Sequence, residues 1–269
     1  MADFDPNTPS IARVYDLVLG GKDNFAADRE FAARILEFLP LVPVVALENR
    51  QFLSRAVTWA ANQGISQFID LGCGLPTAPN TLESARSVNA DAQVVYVDND
   101  AVVINHLQAM VAKRTPGVTV VDSDVRDVAT ILDAARAHLD LSEPVGLIAG
   151  ALLHFFPAEA ARGLLAGFKA ALAPGSCLAI SAFQAVGAES DEGLSIYSST
   201  TAPVYNHPVA ELASFFAPFD LVPPGLVDVR RWRPDWELPD TPPREFYGLA
   251  GVARKRSADG PVEPRDRSL

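Results

Sequence analysis

The run Phe68-Ile69-Asp70-Leu71-Gly72-Cys73-Gly74-Leu75-Pro76-Thr77 carries residue types that could hold a nucleoside. An apolar β-type stretch stops at an acid, and a glycine loop follows where a helix would open. Lacking Cβ atoms, Gly72 and Gly74 let backbone amides come close to a ligand, although a plain tight βα turn would use them too. A second acid, Asp98, closes the next β-type run, Tyr96-Val97-Asp98. A carboxylate there can accept from both hydroxyls of a ribose, the stronger, charge-assisted class of hydrogen bond. The bland alternative is a solvated strand-end acid or a helix cap. The third glycine of the dinucleotide fingerprint is missing, since Thr77 stands at its place. That fingerprint serves close approach of a diphosphate to a helix N-terminus, so its absence favours a ligand without phosphates.

Other candidates are less specific. Asp70 either organises the glycine loop or meets the ligand's amino group indirectly. In Asp122-Ser123-Asp124-Val125-Arg126-Asp127, the Asp124 carboxylate and the Val125 amide could bracket an adenine edge. Helix capping by Ser123 or Asp127 is the competing account of that segment. His154 lies just past the fourth β-type run, in Gly150-Ala151-Leu152-Leu153-His154-Phe155-Phe156-Pro157, a place that lines the ligand crevice of open α/β sheets. It is a candidate general base or an ordinary structural histidine. Cys73 and Cys177 are the only cysteines, without the paired spacing of a zinc site, so no metal is expected and both thiols should be reduced.

The elements that must position these residues follow from periodicity. Residues 10 to 62 read as helical: Ile11, Val14, Leu17 and Val18 recur at three and four, as do Phe31, Ile35, Phe38 and Leu39. Ser10 should cap the first helix and Gly20-Gly21 end it. A further helix should cover Val44 to Asn62, with Leu47, Phe52, Leu53, Val57 and Trp59 on its buried side and Gly64 at its end. Strands are expected at Gln67–Leu71, Val94–Asp98, Val118–Asp122, Val145–Gly150 and Cys177–Phe183, alternating with helices near Asn80–Val88, Ala101–Arg114, Val128–Leu139 and Ala158–Ala173. Such alternation of nearly continuous apolar strands with helices implies a doubly wound, mostly parallel α/β sheet covered on both faces. Gly187 to His207 carries no periodicity and reads as a lid or loop, followed by a helix over Pro208–Phe216. Two last β-type runs, Gly225–Trp232 and Glu245–Arg254, are joined by a Pro-rich stretch unsuited to a crossover helix, so they should be antiparallel neighbours. Residues 255–269 should fray.

Composition limits the rest. With 49% hydrophobic residues and 20% charged among 269, the chain can build a sizeable core. A net charge of −11 and an isoelectric point near 4.8 argue against a large phosphate-binding face, so nucleic acid is not an expected partner. The N-terminus lacks a basic segment followed by an apolar one, and no run approaches the ~20 apolar residues of a membrane span. A cytoplasmic protein acting on a small molecule is the expectation; oligomeric state is not legible.

Asp70-Leu71-Gly72-Cys73-Gly74 resembles the glycine motif of class I S-adenosylmethionine-dependent methyltransferases, and Asp98 their ribose acid. Leu164 to Ser176 is similar to the helix, turn and fifth strand of that fold, whose seven-stranded sheet ends in an antiparallel strand. More narrowly, the segment Pro9 to Asp28, with Asn49-Arg50-Gln51-Phe52-Leu53 and Gly72-Cys73-Gly74-Leu75-Pro76-Thr77, resembles a mainly actinobacterial S-adenosyl methyltransferase family whose acceptors are generally unassigned. The resemblance implies a helical cap over 1–64, a cofactor-binding core over 65–254 and a tail over 255–269. It also implies cofactor contacts at Asp70, Gly72, Gly74, Asp98, Asp124 and Val125. The N-terminal helices, with Tyr15 and the stretch Gly20 to Asn24 that holds Gly21, would cover the nucleoside, and the 187–207 loop would help form the acceptor pocket. Tyr15 and Asn24 would orient its amino-acid end or the acceptor, unless they serve only helix packing. Two rivals stay open: a nicotinamide-dependent oxidoreductase, which requires an all-parallel sheet, and a non-catalytic S-adenosylmethionine sensor.

Overall fold

The computed structural model describes residues 5–112, 115–198, 203–238 and 244–256. Three helices, α1 (Ile11–Val18), α2 (Ala26–Phe38) and α3 (Val42–Asn62), precede the first strand. Strands and helices then alternate: β1 (Gln67–Leu71), α4 (Thr81–Arg86), β2 (Gln93–Asp98), α5 (Ala101–Ala112), β3 (Val118–Asp122), α6 (Val128–Arg136), β4 (Val145–Gly150), α7 (Ala158–Ala171) and β5 (Cys177–Ala185). The chain closes with α8 (Ala188–Ser198), α9 (Val209–Ser214), β6 (Asp220–Leu221), β7 (Val227–Asp228) and β8 (Phe246–Arg254).

The sheet order is β3-β2-β1-β4-β5-β8-β6, with β7 also paired to β8. Strands β1 to β5 are mutually parallel, and β8 runs antiparallel to β5 along its whole length, from Cys177↔Arg254 to Ala185↔Phe246. This antiparallel strand separates the sheet from the all-parallel one that the nicotinamide reading required. Strand order reverses between β1 and β4, and open α/β sheets form their ligand crevice at such a switch point, beyond the carboxyl ends of the strands. Burial explains the continuous apolar runs: Phe68, Ile69, Leu71, Val95, Val97, Val145, Leu147 and Leu178 are all inaccessible to solvent because helices cover both faces. Among the described residues, no helix is long and apolar enough to cross a membrane.

Several sequence expectations need correction. The stretch 187–207 contains a helix, α8, as well as loop; residues 199–202 lie outside the described residues. Its weak apolar signal reflects a narrow contact: Tyr197 meets Phe31 at 5.4 Å between ring centroids, and a Cβ at Gly193 would lie 2.6 Å from Leu39. Of Gly225–Trp232 only Val227–Asp228 forms a strand, antiparallel to β8 as expected. The Asp228 side chain accepts from the Arg230 amide at 2.9 Å and its carbonyl from the Arg231 amide at 2.7 Å, turning the chain out of the sheet. Trp232 is apolar there because it fills the core, edge-on to Phe52 and Trp59. The short β6 gave no signal of its own. On α3, Leu47 is 53% exposed while Phe52 and Val57 are buried, since the apolar pattern is wider than the covered stripe. Ser10 stands at the N-cap of α1 without capping it through its side chain. Gly20 follows α1 in the left-handed region at φ 87°, as a helix stop should. Lys113, Arg114 and tail residues 257–269 lie outside the described residues.

Candidate functional site

The glycine loop departs from the end of β1 with Gly72 at φ 59° and Gly74 at φ 64°, conformations that favour glycine over any residue with a Cβ. A Cβ on Gly72 would come within 2.7 Å of Leu152, which follows β4, so the two loops of the switch point interlock there. At Gly74 the same direction opens onto empty space. Asp98, at the end of β2, holds this loop: its Oδ2 accepts the Gly74 amide at 2.9 Å, and its Oδ1 accepts the amides of Asn99 at 2.9 Å and Asp100 at 3.0 Å. A carboxylate offers about four lone-pair sites, so room for a further donor remains, chiefly on Oδ2. Burial pushes the Asp98 carboxyl above its ordinary range, against the pull of those three amides.

Asp70, the acid inside the glycine motif, is 8% exposed and accepts the Thr81 hydroxyl at 2.5 Å. Its pKa is pushed up to about 6 by burial, with the negative charge of Asp98 acting in the same direction. Tyr96 and Asn80 complete the support of α4. The Tyr96 hydroxyl donates to Asn80 Oδ1 at 3.2 Å and accepts the Leu82 amide at 2.9 Å, and Asn80 and Glu83 form a reciprocal capping box. Asp70 thus ties the end of β1 to the first turn of α4.

Asp124 and Val125, the candidates for an adenine edge, lie one strand over. The Ser123 amide donates to the Asp98 carbonyl at 3.0 Å, joining the ends of β2 and β3. Asp124 is gripped by Arg126, whose Nε and Nη2 donate at 2.8 and 2.5 Å, and this side-chain pair holds the Asp124 carboxyl below its ordinary range. Val125 is buried in the core, and it is Asp127 that caps α6, through the Thr130 amide at 3.2 Å.

Gly21 and Asn24 sit in the α1–α2 turn. A Cβ on Gly21 would fall 2.0 Å from Asp16 Oδ2, so the turn folds tightly over that carboxylate. Asn24 donates to the Gly21 carbonyl at 3.2 Å and accepts from Arg29 at 3.1 Å. These contacts shape the turn itself rather than the glycine loop. Tyr15 donates to the Ala46 carbonyl at 3.1 Å and accepts from Asn49 Nδ2 at 2.9 Å, and burial raises its pKa. His154 is 3% exposed, and its Nδ1 is buried without a partner. Burial, with His207 nearby as the lesser cause, takes its pKa down to about 3. Tyr15 and His154 line one cavity, beside the glycine loop rather than in it.

Sequence reasoning about the site passed over three groups. Arg50 donates from Nη2 to the carbonyls of Thr77 at 2.6 Å and Pro79 at 3.3 Å, pinning the far side of the glycine loop, while its Nε is buried without a partner. Its neighbour Asn49 leaves Oδ1 in the same state. An Asn-Arg pair inside a helix with a buried face was the available signal. The second group is a clasp: Arg13 pairs with Asp28 at 2.8 Å, both buried, the Ser10 amide donates to Asp28, and the Ser10 hydroxyl donates to Asp100. Asp100 in turn caps α5 through the Val102 amide at 2.8 Å, so α1 and α2 are tied to the residues following β2. The third is Ala151, held at φ 50° just past β4 with its amide donated to Ser181 Oγ at 3.0 Å. Strained backbone of this kind gathers at ligand sites.

A family model described as S-adenosyl methyltransferase matches residues 1–256. A protein from Thermobifida fusca YX named as a methyltransferase is similar at 39% identity and a TM-score of 0.88, over 93% of this chain and 96% of that one. A DUF574 family protein from Streptomyces avermitilis MA-4680 is similar at 37% identity and a TM-score of 0.85, over 93% of this chain and 99% of that one. The N-methyltransferase NodS from Bradyrhizobium japonicum WM9, at 11% identity and a TM-score of 0.50 over 78% of this chain and 97% of that one, speaks for the fold alone. No curated protein matches. The sheet is thus the Rossmann-like methyltransferase sheet, and the chain belongs to the S-adenosyl methyltransferase family, whose cofactor is S-adenosylmethionine.

Proposed function

We propose that this chain transfers the methyl group of S-adenosylmethionine to a small-molecule acceptor bound beside the switch-point crevice, with residues 1–64 as a cap and 65–254 as the core. The observation that carries the reading is Asp98: a buried carboxylate at the end of β2 that holds the Gly74 amide and retains acceptor capacity next to the open side of that glycine. A ribose diol fits there. Arg50 Nε and Asn49 Oδ1, a donor and an acceptor both buried and unpartnered, suit the carboxylate and ammonium of a methionine end. Asp124 is assigned to the adenine edge on condition that Arg126 lets it go, while the Val125 amide needs no such release.

The cofactor supplies an electrophilic methyl on a sulfonium, which leaves as a neutral thioether. The chain's own contribution is then alignment, and well-oriented reactants can gain about 7–11 kcal/mol from it. Tyr15, kept protonated by burial, positions rather than deprotonates. His154, with a pKa near 3, is too weak a base for efficient proton removal near neutrality, so its assigned role is to contact the acceptor, whose proton departs to water. Calorimetric titration with S-adenosylmethionine, S-adenosylhomocysteine and NAD tests the reading. The first two should bind and NAD should not. Binding of NAD alone would overturn it.

A further inference from the structure

Between α1, α2, α3, β5, α8 and the segment before α9 lies a cavity with space of about 50 Å³ for the centre of a water-sized sphere. That is roughly four times the ~10–15 Å³ that a single water needs. Its wall is mainly aliphatic and aromatic, with the rings of Tyr15, Phe183, Tyr197, Tyr205 and Phe246 beside His154 and Asn206, and among the described residues no Lys, Arg, Asp or Glu lines it. Placing a charge there would cost several kcal/mol of desolvation without a partner, whereas aromatic walls gain from edge and offset contacts with a ring. The cavity also holds a polar group in need of company, the His154 imidazole, which keeps Nδ1 buried and unpaired.

Two bridges connect this cavity to the glycine loop. Leu152, packed against Gly72, lies two residues from His154. Tyr15 bonds to Asn49, whose neighbour Arg50 pins the loop from the other side. The cavity wall is thus tied to the glycine loop from two sides.

Building on the methyl-transfer reading, we propose that the acceptor is an uncharged aromatic molecule of one ring or two fused rings, bearing a hydroxyl or amino group that hydrogen-bonds to His154. Phosphorylated, carboxylated and cationic acceptors are disfavoured by the same wall. The test is calorimetric titration of the full chain with 2-naphthol, naphthalene and 2-naphthoate, each with and without saturating S-adenosylhomocysteine. 2-Naphthol should bind at least tenfold more tightly than the shape-matched 2-naphthoate. His154→Phe should bring 2-naphthol down to the affinity of naphthalene. Val42→Trp and Leu194→Trp, which fill the cavity from half-buried positions, should weaken 2-naphthol at least tenfold while leaving S-adenosylhomocysteine affinity within twofold. Tighter binding of 2-naphthoate, no binding of 2-naphthol, or 2-naphthol affinity unchanged in both Trp variants with S-adenosylhomocysteine binding intact would each overturn the proposal. Failure of S-adenosylhomocysteine to bind while 2-naphthol still does would sink the methyl-transfer reading and leave the aromatic site standing.

Discussion

In the crevice, Asp98 alone accepts three backbone amides, and Asp70, Tyr96, Asn80 and Thr81 are joined by side-chain hydrogen bonds. In the cavity beside it, His154 keeps a ring nitrogen with no partner at all, and the wall is nearly free of polar atoms. One region holds its loop through polar groups that are largely paired already, with Arg50 Nε and Asn49 Oδ1 left over for a ligand. The other has apolar shape and a single unmet hydrogen bond, on His154 Nδ1. Pre-formed polar geometry suits one invariant cofactor, whereas an apolar chamber suits discrimination by shape and charge.

The largest break in this contrast should come from Asp98→Ala, which removes the grip on Gly74 and the proposed ribose acceptor together. S-adenosylhomocysteine binding should fall by more than about a hundredfold, some 2.7 kcal/mol or more, while 2-naphthol binding in the cavity persists. Next comes the pH dependence of stability, where the two regions should act with opposite signs. Asp70 has a folded pKa raised from 3.8 to about 6, so wild-type stability declines as pH rises through that window. The advantage of Asp70→Asn over wild type should grow by roughly 2 kcal/mol between pH 4 and pH 7 in urea melts. His154 has a folded pKa lowered from 6.5 to about 3, so its contribution is present above pH 6.5 and drains away as pH falls toward 3. His154→Phe should flatten that acid limb and leave the Asp70 window unchanged.

A smaller effect should follow from Arg50→Gln. S-adenosylhomocysteine should weaken about tenfold to thirtyfold, or 1.4–2 kcal/mol, with adenosine affinity nearly unchanged, since only the amino-acid end loses its donor. Equal losses for both ligands would move Arg50 from ligand contact to loop support. The smallest should be Arg126→Ala, which frees Asp124 and should tighten adenosine binding by no more than about threefold, as expected for an exposed ion pair worth under ~1 kcal/mol.

The crevice was legible because short-range rules build it. An acid at a strand end, glycines where φ turns positive and a second acid one strand later are all adjacent in sequence, and the alternation of elements dictates that they converge. The antiparallel pairing of β7 with β8 was legible for a similar reason, since a short Pro-rich join admits no crossover, whereas β8 running against β5 was implied only by the family resemblance. The cavity was legible only in its parts. The N-terminal helices with Tyr15 and the stretch 187–207 were expected around the ligand, but no periodicity links Val14 or Tyr15 to Phe246 or shows that these segments close on one apolar space. Arg50 and Arg13 escaped for another reason. A cation in a helix reads as solvated, and only packing reveals that one clamps a loop and the other is buried against Asp28. Trp232 misled in the opposite direction, because an aromatic core residue next to a strand resembles more strand.

The clasp of Ser10 and Arg13 on Asp28 and Asp100 has a mechanical consequence. Val14, the very next residue, belongs to the cavity wall, as does Val18 one turn further on, so α1 is a lever fastened at its start to the residues following β2 with its later turns against the cavity. Any coupling of the two guests through α1 must act by the same factor in both directions, as thermodynamic linkage demands. Identical 2-naphthol affinities with and without nucleoside would mean that the lever is slack; a difference would make the first guest the gatekeeper for the second.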